Sequence, residues 1–336
     1  MIAARSLLLL LTCLFWLGCS KQETTAPRGE PAGSVGSRAR PTRQLRIGVA
    51  ASLRPAFERL QAEFLVRHPS VEVQLETGGS NALCRKALEL GISFDLLALA
   101  DASLFDALLK PDWTEHHVRL ATNRLVLAHS PHAEPVAGPH RIAAILLKKS
   151  VRLGMADPSR APLGYRTRLG IKLLERSSGP IGLEQQLLGK IGKRFVWPNA
   201  AALLVQLELG EIDYGFLYAA SATTAGLKFT EMPPEANLGS PSHDYSGVSV
   251  KIVGMTPESE LVRTGALIVY GVALAKSTKQ RESGAQFMAL LMGAEGTRAL
   301  ESAGFRSLES SPSRVVGTLP QEITVALSAE GAKTKK

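Results

Sequence analysis

Ser52, Ser80, the Ala161-Pro162-Leu163 stretch and Asn199-Ala200 occupy one kind of place in the sequence. Each follows a short apolar run and opens an amphipathic one. Where a strand hands over to a helix, the first-turn N–H groups lack intrahelical partners and the helix end carries partial positive charge. Small residues at such a junction let an anion approach the amides, and the Ser52 and Ser80 hydroxyls are further donors. For any one junction taken alone, simple N-capping is the better explanation. Other chemistries lack their residues: there is no Gly-rich Lys loop, no G-x-S-x-G turn and no H-E-x-x-H pair. Asp101, Asp157 and Asp213 follow or interrupt strand-like runs, but no His partner or metal motif accompanies them for acid–base work. His116-His117 reads as a surface loop beside Trp113, because chain neighbours point different ways. No catalytic residue is expected.

The elements that must hold these junctions are strands alternating with helices. Leu45–Ala50 reads as a strand, and Phe57, Leu60, Phe64 and Leu65 recur at helical spacing up to His68-Pro69. Val71–Leu75 alternates as a strand, and Gly78-Gly79-Ser80-Asn81 opens a helix carrying Leu83, Ala87 and Leu90. Phe94–Ala100 is a buried-type strand. The pattern returns with a strand at Val151–Met155, a helix over 164–176, a helix from Ala200 to Leu209 capped by Asn199, and a strand from Ile212 to Tyr218. This alternation predicts an α/β fold with mixed, mainly parallel sheets flanked by helices. Ligands of such sheets bind at the carboxyl ends of the strands, where helices begin.

The chain has 336 residues, enough for about two domains. Its 45% hydrophobic and 21% charged residues exclude a disordered or fibrous chain. The formal charge of +9 comes from scattered bases and a short Lys-rich end, so no nucleic-acid partner is expected. Residues 1–19 read as an export signal: Arg5, then an apolar run from Leu7 to Leu17, too short to span a bilayer, ending in Gly18-Cys19-Ser20. A small residue before a Cys resembles a bacterial lipobox, with Trp16 where Leu is usual, and predicts lipidation at Cys19. Residues 20–43, rich in Pro, Gly, Ser, Thr and Arg, read as a flexible tether. Cys84 is then the one thiol left in the body, so no internal disulfide is expected.

Several ordered blocks resemble the molybdate/tungstate-binding proteins of ABC importers, which have the two-lobed type II periplasmic-binding fold. The resemblance covers roughly 45–308. It rests on Val49-Ala50-Ala51-Ser52-Leu53, Gly78-Gly79-Ser80, Ser93 to Asp101, Ala121 to Leu127, Ala156-Asp157-Pro158 to Gly164-Tyr165-Arg166, and Gly210 to Tyr218. The Gly-Tyr-Arg and Ile-Asp-Tyr blocks are closest to the tungstate-type branch. The resemblance implies ligand contacts at Ala51, Ser52, Ser80, Ala161, Pro162, Leu163, Ala200 and Tyr218. Where the tungstate-type branch can place carboxylates that expand the metal centre, this chain has Ala161 and Ala200. A tetrahedral oxyanion held by hydrogen bonds is therefore expected, with no metal ligand from the protein and no cofactor. The resemblance further implies a ligand cleft between lobe one (44–122 plus 275–308) and lobe two (123–274). It also implies a monomer outside the cytoplasm, on the periplasmic side or at the cell surface, working with an importer's permease and ATPase subunits. Residues 309–336, with Ser, Pro and Lys and no helical stripe beyond Ile323 to Leu327, read as a weakly ordered tail. Another anion on the same fold, and an enzyme or sensor built on it, are the alternatives.

Overall fold

The computed structural model describes residues 43–254, 258–308 and 314–333. The export-signal reading, the Cys19 lipidation and nearly all of the tether lie outside these residues. No helix among the described residues is long and apolar enough to cross a membrane.

Two mixed sheets organise the chain. The first contains β1 (Arg43–Ala50), β2 (Val71–Gly78), β3 (Leu96–Leu99), β4 (His117–Asn123), β12 (Ile268–Leu274), β13 (Arg306–Ser307) and β14 (Val315–Val316). The second contains β5 (Leu125–His129), β6 (Leu153–Ala156), β7 (Val196–Trp197), β8 (Tyr214–Tyr218) and β9 (Phe229–Glu231). The chain leaves the first sheet at Arg124 and returns to it at Ile268, after a hairpin of β10 (Ser249–Val253) and β11 (Glu260–Thr264). Each sheet has a parallel triplet with the same order, β2-β1-β3 in one and β7-β6-β8 in the other. The expectation of mainly parallel sheets holds within these triplets. It does not hold for β4, β5 and β12, which pair antiparallel because the chain crosses between sheets there.

The helices lie where the apolar stripes require. α1 (Arg54–Arg67) buries Phe57, Leu60 and Phe64. α2 (Ser80–Leu88), α3 (Ile142–Leu147), α4 (Pro162–Ser177), α5 (Leu183–Ile191), α6 (Ala200–Glu208) and α7 (Ala219–Thr224) follow. α4 begins two residues before the expected 164, because Pro162 sits in its first turn, where a missing N–H costs nothing. Gly164 is required there: a Cβ would lie 2.4 Å from the Ala156 carbonyl oxygen, so only glycine lets the helix start this close to the end of β6.

Two expectations fail. His116 and His117 are both buried, not on a surface loop, with the His117 ring stacked on Phe105 at 5.2 Å. β4 begins at His117 and draws the pair inward, and burial lowers both imidazoles to a pKa of about 4. The tail is also not uniformly weak in order. β14 pairs with β4, and Gln321–Lys333 forms α10 against α8 (Arg281–Met292), which precedes α9 (Ala294–Ser302). Ile323 is completely buried, Ala326 and Leu327 pack on the core, and Glu322 pairs with Arg281 at 2.7 Å. The stripe is short and partly alanine, which made it faint in the sequence. Ile323→Ala should therefore cost about 2–5 kcal/mol, the usual penalty for a buried Ile→Ala. The check is the shift of the denaturant midpoint.

Candidate functional site

The carboxyl ends of both parallel triplets face one small cavity with about 220 Å³ of atom-free space. β1 delivers Ala50, Ala51 and Ser52, β2 delivers Gly78, Gly79 and Ser80, and Ala100 follows β3. From the other sheet come Ala161, Pro162 and Leu163 beyond β6, Asn199 and Ala200 beyond β7, and Tyr218 at the end of β8. All eight residues expected at a ligand site thus line the same space.

The lining is rich in donors and holds no carboxylate. The starts of α2, α4 and α6 point at it, as does the turn Ala51–Leu53 that leads into α1. Asn199 is the expected cap: its Oδ1 accepts from the Ala202 N–H at 3.0 Å, so its carbonyl side is occupied. Ser80 is fully buried, and its Oγ accepts from the Ala100 N–H at 2.9 Å. Its own proton is left to give. Tyr218, 1% exposed, accepts from Arg166 Nη1 at 3.0 Å and is left with its proton in the same way. Ser52 Oγ lies 3.1 Å from the Tyr270 hydroxyl. Burial raises the pKa of Tyr218 and Tyr270, although Arg166 pulls both the other way, so both stay protonated near neutrality.

Behind this lining sits a buried charge cluster without an expected role. Arg166, 4% exposed, donates to the Ala100 carbonyl at 2.5 Å and faces Asp101 at 3.4 Å. Tyr165 donates to Asp101 at 2.5 Å, and the Ser103 N–H and hydroxyl supply two more hydrogen bonds. Burial alone would raise the Asp101 carboxyl. Arg166, the Tyr165 hydroxyl and Arg263 outweigh it and hold the carboxyl below its ordinary range. Asp101 is therefore a fixed anion, not a proton shuttle. Asp213 is occupied by Arg152 at 2.7 Å, and Asp157 accepts from the Ser159 N–H at 2.8 Å. Gly-Tyr-Arg was visible in the sequence as a block. Only the fold shows that its arginine reaches β3 and Tyr218 together.

The same contacts join the two sheets' bodies around the cavity. Asp101 follows β3 while Tyr165 and Arg166 lie on α4, and the Ala82 N–H donates to the Arg160 carbonyl at 3.2 Å. At Gly79 a Cβ would come within 2.2 Å of that carbonyl oxygen. Among the described residues, no group of three or more His, Cys, Asp or Glu could hold a metal ion. Cys84 is buried, and its thiol is pushed up to about 12, so it is chemically quiet.

Two sheets with repeated parallel triplets, meeting over one small cavity, define the two-lobed binding-protein fold. The chain belongs to the bacterial extracellular solute-binding protein family, whose model matches residues 45–306. It is 28% identical over 313 residues to the molybdate/tungstate-binding protein WtpA of Pyrococcus abyssi, covering 84% of this chain and 89% of the relative. It is 26% identical over 278 residues to a solute-binding protein of Petrotoga mobilis, covering 82% and 87%. Among solved structures, the periplasmic molybdate-binding protein of Azotobacter vinelandii aligns with a TM-score of 0.55 at 18% identity, covering 82% of this chain and 100% of that one. The sulfate-binding protein SubI of Mycobacterium tuberculosis aligns at 0.57 and 12% identity, covering 80% and 88%. At such identities these two structures are likenesses of fold.

Two outcomes follow from the geometry. Gly79→Ala should keep the secondary structure while preventing the approach to Arg160, so solution scattering should give a larger radius of gyration than the unsubstituted chain. Asp101→Asn should destabilise by about 3–5 kcal/mol, because two buried guanidinium groups lose their counter-charge. Since the folded pKa of Asp101 is lowered, its contribution is complete above the ordinary carboxyl value of about 4 and fades as pH falls through the folded one. Denaturation curves across acid pH should show this loss in the unsubstituted chain and its absence in the variant.

Proposed function

We propose that this protein captures molybdate or tungstate as an intact tetrahedral dianion and presents it to the permease of an ABC importer. The observation that carries the reading is the donor-only lining: Ser80 and Tyr218 have their acceptor sides filled from behind, and no carboxylate intrudes. Such a pocket matches an anion that is acceptor-only at every oxygen. Phosphate near neutral pH still carries a proton, which would find no good acceptor here. Sulfate is also acceptor-only and must be rejected by size.

The ligand role of Ala51, Ser52, Ser80, Ala161, Pro162, Leu163, Ala200 and Tyr218 belongs to this proposal. So does closure of lobe one (44–122 plus 275–308) on lobe two (123–274). Alanine at 161 and 200 leaves the metal's own four oxygens as its inner shell. Because no arginine touches the ligand directly, release to the permease breaks hydrogen bonds and no full-charge pair. A lipid at Cys19 and the tether of 20–43 would hold a monomeric carrier near the membrane, outside the cytoplasm. The chain acts as a carrier and not as a catalyst, with the importer's ATPase supplying the energy.

Calorimetric titration with molybdate, tungstate, sulfate and phosphate tests the reading. Saturable binding of the two metal oxyanions, with sulfate and phosphate far weaker, is the expected result; no heat with either metal oxyanion would end it. Ser52→Ala and Ser80→Ala should each weaken binding by about 10- to 100-fold, the loss of one donor to a charged group. Affinity should stay flat from about pH 6 to 9, because Asp101 is already ionised and Tyr218 and Tyr270 remain protonated throughout.

A further inference from the structure

A second cavity lies on the far side of the Asp101–Arg166 pair, beside the return from β11 to β12. Its atom-free space, about 1,160 Å³ including the mouth, is several times that of the first, about 220 Å³. Arg263 on β11 lines it, is 8% exposed, and rests over the Tyr165 ring at 5.5 Å. Its Nε and Nη2 are buried with no hydrogen-bond partner. These two nitrogens form the side-on edge of a guanidinium, whose parallel N–H groups match both oxygens of one carboxylate. A buried donor pair left unmade is costly, and a ligand that fills it recovers that cost.

The groups around Arg263 leave that edge without a partner. The Asp101 oxygens are taken by Tyr165, Arg166 and Ser103, so Asp101 answers Arg263 only through space. One buried carboxylate thus faces two buried guanidinium groups, leaving a net positive charge. Asp106 is paired with Lys110 at 2.9 Å and lies 3.9 Å from His117 Nδ1, and that imidazole is neutral near pH 7. Arg119, exposed on β4, lines the same cavity and has no ion-pair partner among the described residues.

We infer that this cavity is a second anion site, one that takes a small organic dicarboxylate. One carboxylate seats on the Arg263 Nε/Nη2 edge, and the other turns toward Arg119. The site is separate from the oxyanion pocket and does not depend on what fills that pocket.

Succinate is the probe, with acetate and chloride as comparisons, and the full chain is titrated after saturation with tungstate and again without it. Thermal shift and the Arg263 Nε–H resonance in nitrogen-15 NMR are the readouts. Succinate should raise the melting temperature saturably and shift that one arginine resonance, acetate should act more weakly, and chloride should do nothing. Arg263→Lys keeps a cation but loses the fork, so it should weaken the succinate effect by at least about tenfold. Arg119→Gln should reduce it toward the acetate level. Ser80→Ala should leave it intact. The inference is overturned if succinate gives no saturable effect, if Arg263→Lys responds like the unsubstituted chain, or if Ser80→Ala abolishes the response, which would put the carboxylate in the first pocket.

Discussion

A buried hydroxyl that already accepts one hydrogen bond keeps its own proton to give, and the first cavity depends on hydroxyls held in that state. The Ala100 N–H fixes Ser80, and Arg166 fixes Tyr218. Ser52 and Tyr270 share one bond in which either hydroxyl can donate, and an anion in the cavity would set its direction, with Tyr270 donating to Ser52 and Ser52 donating inward. The polarity of the lining is thereby set by the Ala100 N–H, Arg166 and the Tyr270 hydroxyl. Arg166 is the central one, since it also holds the Ala100 carbonyl and faces Asp101, linking β3 to α4 and β8. Its charge acts on the pocket through the Tyr218 hydroxyl, which strengthens that donor without placing a full cation against the ligand.

The repeated triplet order explains why these groups meet. Each triplet puts its central strand, β1 or β6, between two parallel neighbours, so the carboxyl ends of all six strands gather at one place. Ligands of open α/β sheets bind where the strand order reverses. Here two such points face each other, and each brings helix starts. Gly164 lets α4 begin against the end of β6, and Gly79 lets α2 meet the Arg160 loop.

Much of this was legible in the sequence because it is local. Alternating strands and helices, the small residues at Ser52, Ser80 and Ala161–Leu163, and the Asn199 cap are read from neighbours a few positions apart. What was not legible depends on long-range encounters. Nothing near Arg166 in sequence announces that it meets Ala100, Asp101 and Tyr218, and the Asp101 carboxylate looked like a spare acid until its partners were in place. The His116-His117 pair was misread because burial of a strand's first residue depends on what packs over it, here Phe105. α10 was missed because its apolar face is carried by Ile323, Ala326 and Leu327 alone, and that face has meaning only beside α8.

The central claim is that a tetrahedral metal oxyanion is held whole, by hydrogen bonds alone, in a lining where Ala161 and Ala200 offer no ligand to the metal. X-ray absorption at the tungsten edge of the tungstate complex measures this directly. Four short oxygens at one distance, with no further oxygen in bonding range, is the result the account predicts. A six-oxygen shell containing protein carboxylate would contradict it.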